Sequence, residues 1–308
     1  MLKVAVAVIK DKTGQILISK RADDVHQAGL WEFPGGKIEA GENTLQALSR
    51  ELAEELSIKV LSAKPLLQIQ HQYEDLAVFL DVYTVNDFKG TARGMEGQPI
   101  SWVDKTELVS FSFPAANKRI VDTLLLPPYY PIVDECLGDE AEMLSQLEHL
   151  ISRGYKMIQL RAKSLSDDKF KVLAKRALSL CEKGGVTLFI NAGLQCAIEL
   201  NAKAVHLSGK ELINSPLTLP EEMKIAVSCH TQEELYNAAT LGALFAVLSP
   251  VCRSKTHPEV VPLGWSHFAE LVFNSPLPVY ALGGLETEDL AIALSNGAQG
   301  VAGIRGFV

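Results

Sequence analysis

Apolar and polar residues alternate along residues 2–10 (LKVAVAVIK) and 15–20, a period of two that predicts two strands joined by a turn at Asp11-Lys12-Thr13-Gly14. Residues 66–71, 76–85 and 100–103 give the same strand signal, and 116–126 reads as a closing helix. Between them the period changes. Leu45, Leu48, Leu52 and Leu56 fall on one helical stripe that would anchor the segment in a core. The stretch before this helix, WEFPGGK, is expected to be a loop, because Pro34 and two glycines interrupt any regular element. Strands interleaved with two helices predict an α+β sandwich, a mixed sheet between helices.

A second pattern begins after LLPPYY (125–130), whose two prolines leave no room for further helix. The chain is therefore divided into domains 1–128 and 129–308. In the second, strand-like segments at 129–135, 156–162, 187–192, 204–209, 224–230, 245–251, 277–284 and 300–306 alternate with helical stretches such as 140–153, 169–184, 231–242 and 286–297. Eight such units predict a parallel (β/α)8 barrel of the TIM type. The chain stops at Val308, soon after the eighth strand, so the last outer helix is expected to be lacking.

Composition narrows the function classes. A hydrophobic share of 47% over 308 residues suits two globular cores. The net charge of −8 argues against binding of duplex nucleic acid, although a nucleotide held through a metal ion remains compatible with it. The five cysteines are unclustered and odd in number, which fits reduced thiols in a cytoplasm better than disulfides or a zinc site. The alternating N-terminus is unlike a signal peptide, and no apolar run approaches the ~20 residues that span a bilayer. Nothing in the pattern sets an oligomeric state.

The helix that follows Gly35-Gly36 carries Glu51, Glu54 and Glu55 at i, i+3 and i+4. Carboxylates so spaced repel one another unless a hard cation, Mg²⁺ or Mn²⁺, sits among them; the alternative is an acidic, solvated helix face. The glycines favour the first reading, because a glycine turn lets backbone approach a phosphate closely. The spacing resembles the box of the Nudix family, G-x5-E-x7-R-E-U-x-E-E-x-G-U with U apolar. Gly36, Glu42, Arg50, Glu51, Leu52, Glu54, Glu55 and Ile58 occupy their places, and Ser57 replaces the late glycine.

Further matches, SKRADDVHQAGLWEFPGGKIEAGE, MEGQPISWV and FPAANKRI, resemble the MutT branch, which hydrolyses oxidised guanine nucleotides. The resemblance implies an Mg²⁺-dependent (or Mn²⁺-dependent) pyrophosphohydrolase that converts 8-oxo-dGTP to 8-oxo-dGMP and pyrophosphate, a nucleotide-pool sanitising activity linked to DNA replication and repair. It implies substrate contacts from Arg21 and His26, a pocket along Glu32, Phe33, Pro34 and Gly35, and a base-reading amide at Asn117. Asn117 also suits the cap of the last helix, and Phe33 suits core packing. The implied metal ligands are Gly35, Gly36, Glu51, Glu54, Glu55 and Glu96. Glu51 or Glu96 would serve as base, and Arg50 would orient a carboxylate.

In the second half, polar residues gather at strand ends: Arg161, Lys163, Asn191, His206, Ser228, His230, Ser254, Thr256, Gly283, Gly284 and Arg305. Barrels place their sites there, and Gly283-Gly284 suits a phosphate. His206 and His230 also suit satisfied core histidines. This half resembles thiamine-phosphate synthase and its TenI-like relatives through QLRAKS, AVHLSGKEL, VSCHT, LSPV and ALGGL. The resemblance implies a phosphorylated thiamine precursor as ligand. The departures weaken synthase chemistry: Asn191-Ala192 lacks one metal aspartate, a second falls at Glu211, and His257 stands near the expected lysine. Alternatives stay open: hydrolysis of a thiamine-related diphosphate, a bifunctional hydrolase and synthase, or a barrel that serves as sensor or scaffold.

Overall fold

The computed structural model describes residues 1–21, 27–74, 76–213, 223–253, 260–273 and 275–307. Contacts divide the chain into two compact units, Met1–Leu126 and Pro127–Val308.

The first unit runs β1 (Leu2–Ile9), β2 (Ile16–Lys20), β3 (Trp31–Glu32), β4 (Gly35–Lys37), α1 (Thr44–Leu56), β5 (Lys59–Gln72), β6 (Ala77–Lys89), β7 (Ile100–Val103) and α2 (Ala115–Leu124). A mixed sheet has the order β4-β1-β6-β5, with β1 parallel to β6, and a smaller antiparallel sheet has the order β3-β2-β7. The period-two pattern of β1 explains the layering. Ala5, Ala7 and Ile9 face a core shared with Leu48, Leu52 and Leu56 of α1. Val6 and Val8 face the opposite core, with Phe33 and with Ile120 of α2. The predicted α+β sandwich, a mixed sheet between helices, is the fold observed.

Three details differ from expectation. Residues 31–37 form two short strands rather than a loop: β4 pairs with β1 at Val6–Gly35 and Ala5–Gly36. Only glycine fits, since a Cβ on Gly35 would lie 2.1 Å from the Ala5 carbonyl oxygen. The strand β5 begins at Lys59, well before residue 66, and its register with β6 shifts three times between Val60 and Leu67. Those irregularities erase the alternation a sequence reader needs. Leu45, in the first turn of α1, is 46% exposed, so the buried stripe begins at Ala47.

In the second unit, β8 (Tyr129–Asp134), α3 (Glu140–Ser152), β9 (Met157–Arg161), α4 (Asp167–Lys183), β10 (Thr187–Ile190), α5 (Leu194–Glu199) and β11 (Ala204–Ser208) come first. Then follow α6 (Gly209–Ile213), β12 (Lys224–Cys229), α7 (Gln232–Thr240), β13 (Phe245–Leu248), α8 (Gly264–Phe273), β14 (Val279–Leu282), α9 (Leu290–Ser295) and β15 (Gly300–Gly303). Every strand pair is parallel, and β15 pairs with β8 to close the barrel. Alternate residues point inward, where Tyr130, Phe189, Phe245 and Tyr280 pack with centroids 5.0–5.8 Å apart, edge to face except for the tilted Tyr130–Tyr280 pair. The barrel interior is a packed plug beneath the C-terminal strand ends. No helix among the described residues is long and apolar enough to cross a membrane.

Candidate active site and barrel cavity

The helix α1 starts with a capping box in which Asn43 accepts from the Gln46 amide and Gln46 accepts from the Asn43 amide. It ends at Ser57, whose φ of 56° is left-handed, while the Ile58 amide reaches back to the Leu52 carbonyl. Between these caps the carboxylates divide into two groups. Arg50 grips Glu42 bidentately at 2.8 and 2.9 Å, and also bonds Glu51 at 2.9 Å and Glu54 at 3.3 Å. That grip holds the Glu42 carboxyl down to about 2. Glu55 instead turns toward β4, where the Gly35 amide donates to it. Burial pushes the Glu55 carboxyl up to about 8, and the charges of Glu51, Glu32 and Glu96 push in the same direction.

Glu96 arrives on a loop strapped to the end of α1. The Met95 amide and the Gln98 side chain both donate to the Glu55 carbonyl, and Gln98 also accepts from the Glu96 amide. Sequence reasoning missed Gln98; a glutamine in a glycine-rich loop carries no signal of its own. Gly36 makes room for the set, because a Cβ there would lie 2.1 Å from the Glu51 carboxyl carbon. Among the described residues no three such side chains already form a closed metal cage. The donor chemistry nevertheless fits a hard divalent cation, since carboxylates that raise one another's proton affinity also attract a cation.

The expected substrate contacts fall unevenly. Arg21 pairs with Glu32, whose carboxyl is raised by burial against the opposing pull of Arg21. Asn117 sits in the first turn of α2 behind an N-cap at Pro114, so it is not the cap; its Oδ1 accepts from the Phe33 amide at 3.3 Å. The Phe33 ring is 2% exposed and stacks on Phe113 at 5.4 Å, so only its backbone is offered to a pocket. Pro34 is likewise buried, its carbonyl accepting from Ala7. His26 lies outside the described residues.

In the barrel, a cavity of about 510 Å³ opens at the C-terminal ends of the strands. Arg161, Lys163, Asn191, His206, His230, Gly283 and Gly284 all line it. Gln159, Ser228, Arg253 and Arg305 join them. Asp134, at the end of β8, pairs with Arg161 from below; strand-end position alone would have found it. A Cβ on Gly284 would meet the Arg253 carbonyl oxygen at 2.2 Å, and the Val251 and Cys252 amides donate to the carbonyls of Leu282 and Gly283. The glycine pair is thus locked against the loop after β13. Cys229 is fully buried whereas His230 is exposed, so these neighbours face apart. Ser254, Thr256 and His257 lie outside the described residues.

His206 is 2% exposed beneath the cavity, stacked on Tyr130. Burial, with Lys163 and Arg161 nearby, lowers its pKa to about 3, so it is neutral at physiological pH.

Residues 129–307 match the family described as thiamine monophosphate synthase, and residues 5–123 match the NUDIX domain. The chain belongs to both families. Its second unit is 34% identical over 184 residues to a putative thiamine-phosphate synthase 2 of Aquifex aeolicus, covering 59% of this chain and 98% of that protein. Its first unit is 38% identical over 125 residues to an 8-oxo-dGTP diphosphatase of Haemophilus influenzae, covering 41% of this chain and 92% of that protein. It is also 34% identical to a CTP pyrophosphohydrolase of Escherichia coli, over 41% of this chain and 92% of that protein. The first unit is accordingly a Nudix pyrophosphohydrolase, of a family that generally uses divalent metal ions, and the second has the thiamine-phosphate-synthase barrel.

Proposed function

We propose that the Nudix unit hydrolyses an oxidised purine nucleoside triphosphate, 8-oxo-dGTP to 8-oxo-dGMP and pyrophosphate, with Mg²⁺ as cofactor. In this reading the chain divides functionally into domains 1–128 and 129–308 and serves nucleotide-pool sanitation in the cytoplasm. The supporting observation is the carboxylate set of α1 and the loop at Glu96, gathered against Gly36, which lies too close to Glu51 to bear a side chain.

Glu51, Glu54, Glu55 and Glu96, with the carbonyls of Gly35 and Gly36, would hold the cation, and Mn²⁺ would suit the same oxygens. Its chemistry is to neutralise phosphate oxygens and to acidify a water. Arg50 fixes the directions of Glu51 and Glu54 and does not reach substrate. The water oxygen bonds to the β-phosphorus and the bridge to the α-phosphate breaks. The water's proton passes to Glu51 or Glu96. Arg21 would meet the nucleotide, and the Asn117 amide, oriented by the Phe33 backbone, would read the base.

Glu54→Gln and Glu55→Gln, assayed with 8-oxo-dGTP and Mg²⁺, are expected to lose on the order of 100-fold or more in kcat. Unchanged turnover in both would sink the reading.

A second reading is favoured by the fused barrel: the Nudix unit acts on a thiamine-related diphosphate. Comparing kcat/KM for 8-oxo-dGTP, dGTP, CTP and a hydroxymethylpyrimidine diphosphate separates the two. In either case the barrel is proposed to bind a phosphorylated ligand rather than to run full synthase chemistry.

A further inference from the structure

The helix α2 begins without a cap of its own. The first amides of a helix have no partner within it, and an N-cap side chain usually supplies one. At α2 the N-cap is Pro114, whose side chain has no acceptor to offer. Its carbonyl accepts from Asn117 at 2.9 Å and from Lys118 at 3.1 Å. The Ala116 amide must therefore find an acceptor elsewhere, and Ala116 is buried, which keeps water from the role.

Tyr73 fills it from 43 positions away: its hydroxyl accepts from the Ala116 amide at 3.2 Å. Tyr73 directly follows β5, and its own amide donates to the Leu76 carbonyl. The His71 ring meets its phenol edge to face, with centroids 4.4 Å apart. The phenol also packs on the core cluster that holds Phe33, Phe113 and Ala116. The capping oxygen is thus carried by a ring with little freedom.

Next to Ala116 stands Asn117, whose Oδ1 accepts from the Phe33 amide at 3.3 Å. That is just beyond the roughly 2.7–3.2 Å of an ordinary N–H···O bond, so the contact does not fix the side chain by itself. The direction of Asn117 depends on the backbone of the first turn, which Pro114 and Tyr73 hold. A shift of about 0.3 Å in that turn is enough to open the Phe33 contact.

We propose that Tyr73 is a positioning residue for substrate selection: its hydroxyl stands in for the missing cap of α2 and holds Asn117 where it discriminates between purine bases. The role belongs to the phenolic oxygen, not to the ring. It rests on the reading that Asn117 meets the base. The test is steady-state hydrolysis of 8-oxo-dGTP and dGTP by the full chain, with kcat and KM taken separately. Tyr73→Phe keeps the ring and removes the oxygen. It should lower the ratio of kcat/KM for 8-oxo-dGTP to that for dGTP by about 5-fold, the worth of one hydrogen bond, through KM and with kcat within about twofold.

Pro114 already has the extended backbone of an N-cap, with ψ of 150°. Adding Pro114→Ser places an acceptor in the cap itself and should restore the ratio in the Tyr73→Phe chain. In an Asn117→Ala chain, Tyr73→Phe should change the ratio no further. An unchanged ratio in Tyr73→Phe, assayed below its melting temperature, beside a lowered one in Asn117→Ala, would overturn the proposal and leave the base-reading role intact. Failure of Pro114→Ser to restore the ratio would mean that the hydroxyl acts elsewhere than on α2, which also overturns it. If Asn117→Ala itself leaves the ratio unchanged, the base-reading role falls and the positioning role with it.

Discussion

Among the described residues, Asn117 Oδ1 accepts from the Phe33 amide, and in the proposed reading its Nδ2 would face a base. Replacing it with alanine should cost 8-oxo-dGTP about 10-fold or more in kcat/KM and cost dGTP or CTP less, because an unmet buried polar contact discriminates. An equal loss on all substrates would mean that the amide only holds Phe33 in place. His206 makes a separate prediction in the barrel. Its folded pKa of about 3 lies below the ordinary 6.5, so the unfolded chain binds the extra proton between those values. The stability contributed by the neutral ring is fully present above about pH 6.5 and is lost as pH falls toward 3. Thermal melts of the full chain between pH 7 and 4 should show the barrel transition falling with pH, more steeply than in His206→Gln.

Elements show where sequence reading succeeds and where it fails. Ser57 ends α1 in the left-handed region, which costs an L-residue about 1–2 kcal/mol. Ser57→Gly relieves that cost and gives part of it back through unfolded-chain entropy, so a net gain of about 0.5–1 kcal/mol is expected in denaturant melts. A loss would mean that the serine side chain has a structural partner. The helix itself was legible because preceding glycines, apolar stripe and acidic spacing all agree along one short stretch. The barrel was legible for a similar reason: eight strand signals recur, and Arg161, Lys163, Asn191, His206, Ser228, His230, Gly283, Gly284 and Arg305 line one cavity. What stayed hidden was non-local. The pairing of residues 31–37 depends on room beside the Ala5 carbonyl, and β5 is irregular because of its partner. Phe33 illustrates the same limit at one side chain. A chain reading gives its aromatic character, but only packing against Phe113 decides that the ring belongs to the core.

At the scale of the whole molecule, the two units have separate cores. The two clusters of the first comprise described residues up to 125, and the cluster of the second begins at 129. A chain ending after Leu126 is therefore expected to keep kcat/KM within about twofold of the full chain. A large loss would show that the barrel contributes to hydrolysis.

The two sites also differ in sign. Around Glu55, like-charged carboxylates raise one another's proton affinity; around Ser228, guanidinium and ammonium groups predominate. Titrating a chelator into the full chain should then act on the first of them. If the proposed reading holds, hydrolysis is expected to fall as free divalent ion is withdrawn. The Nudix end of the polypeptide would then report scarcity of magnesium.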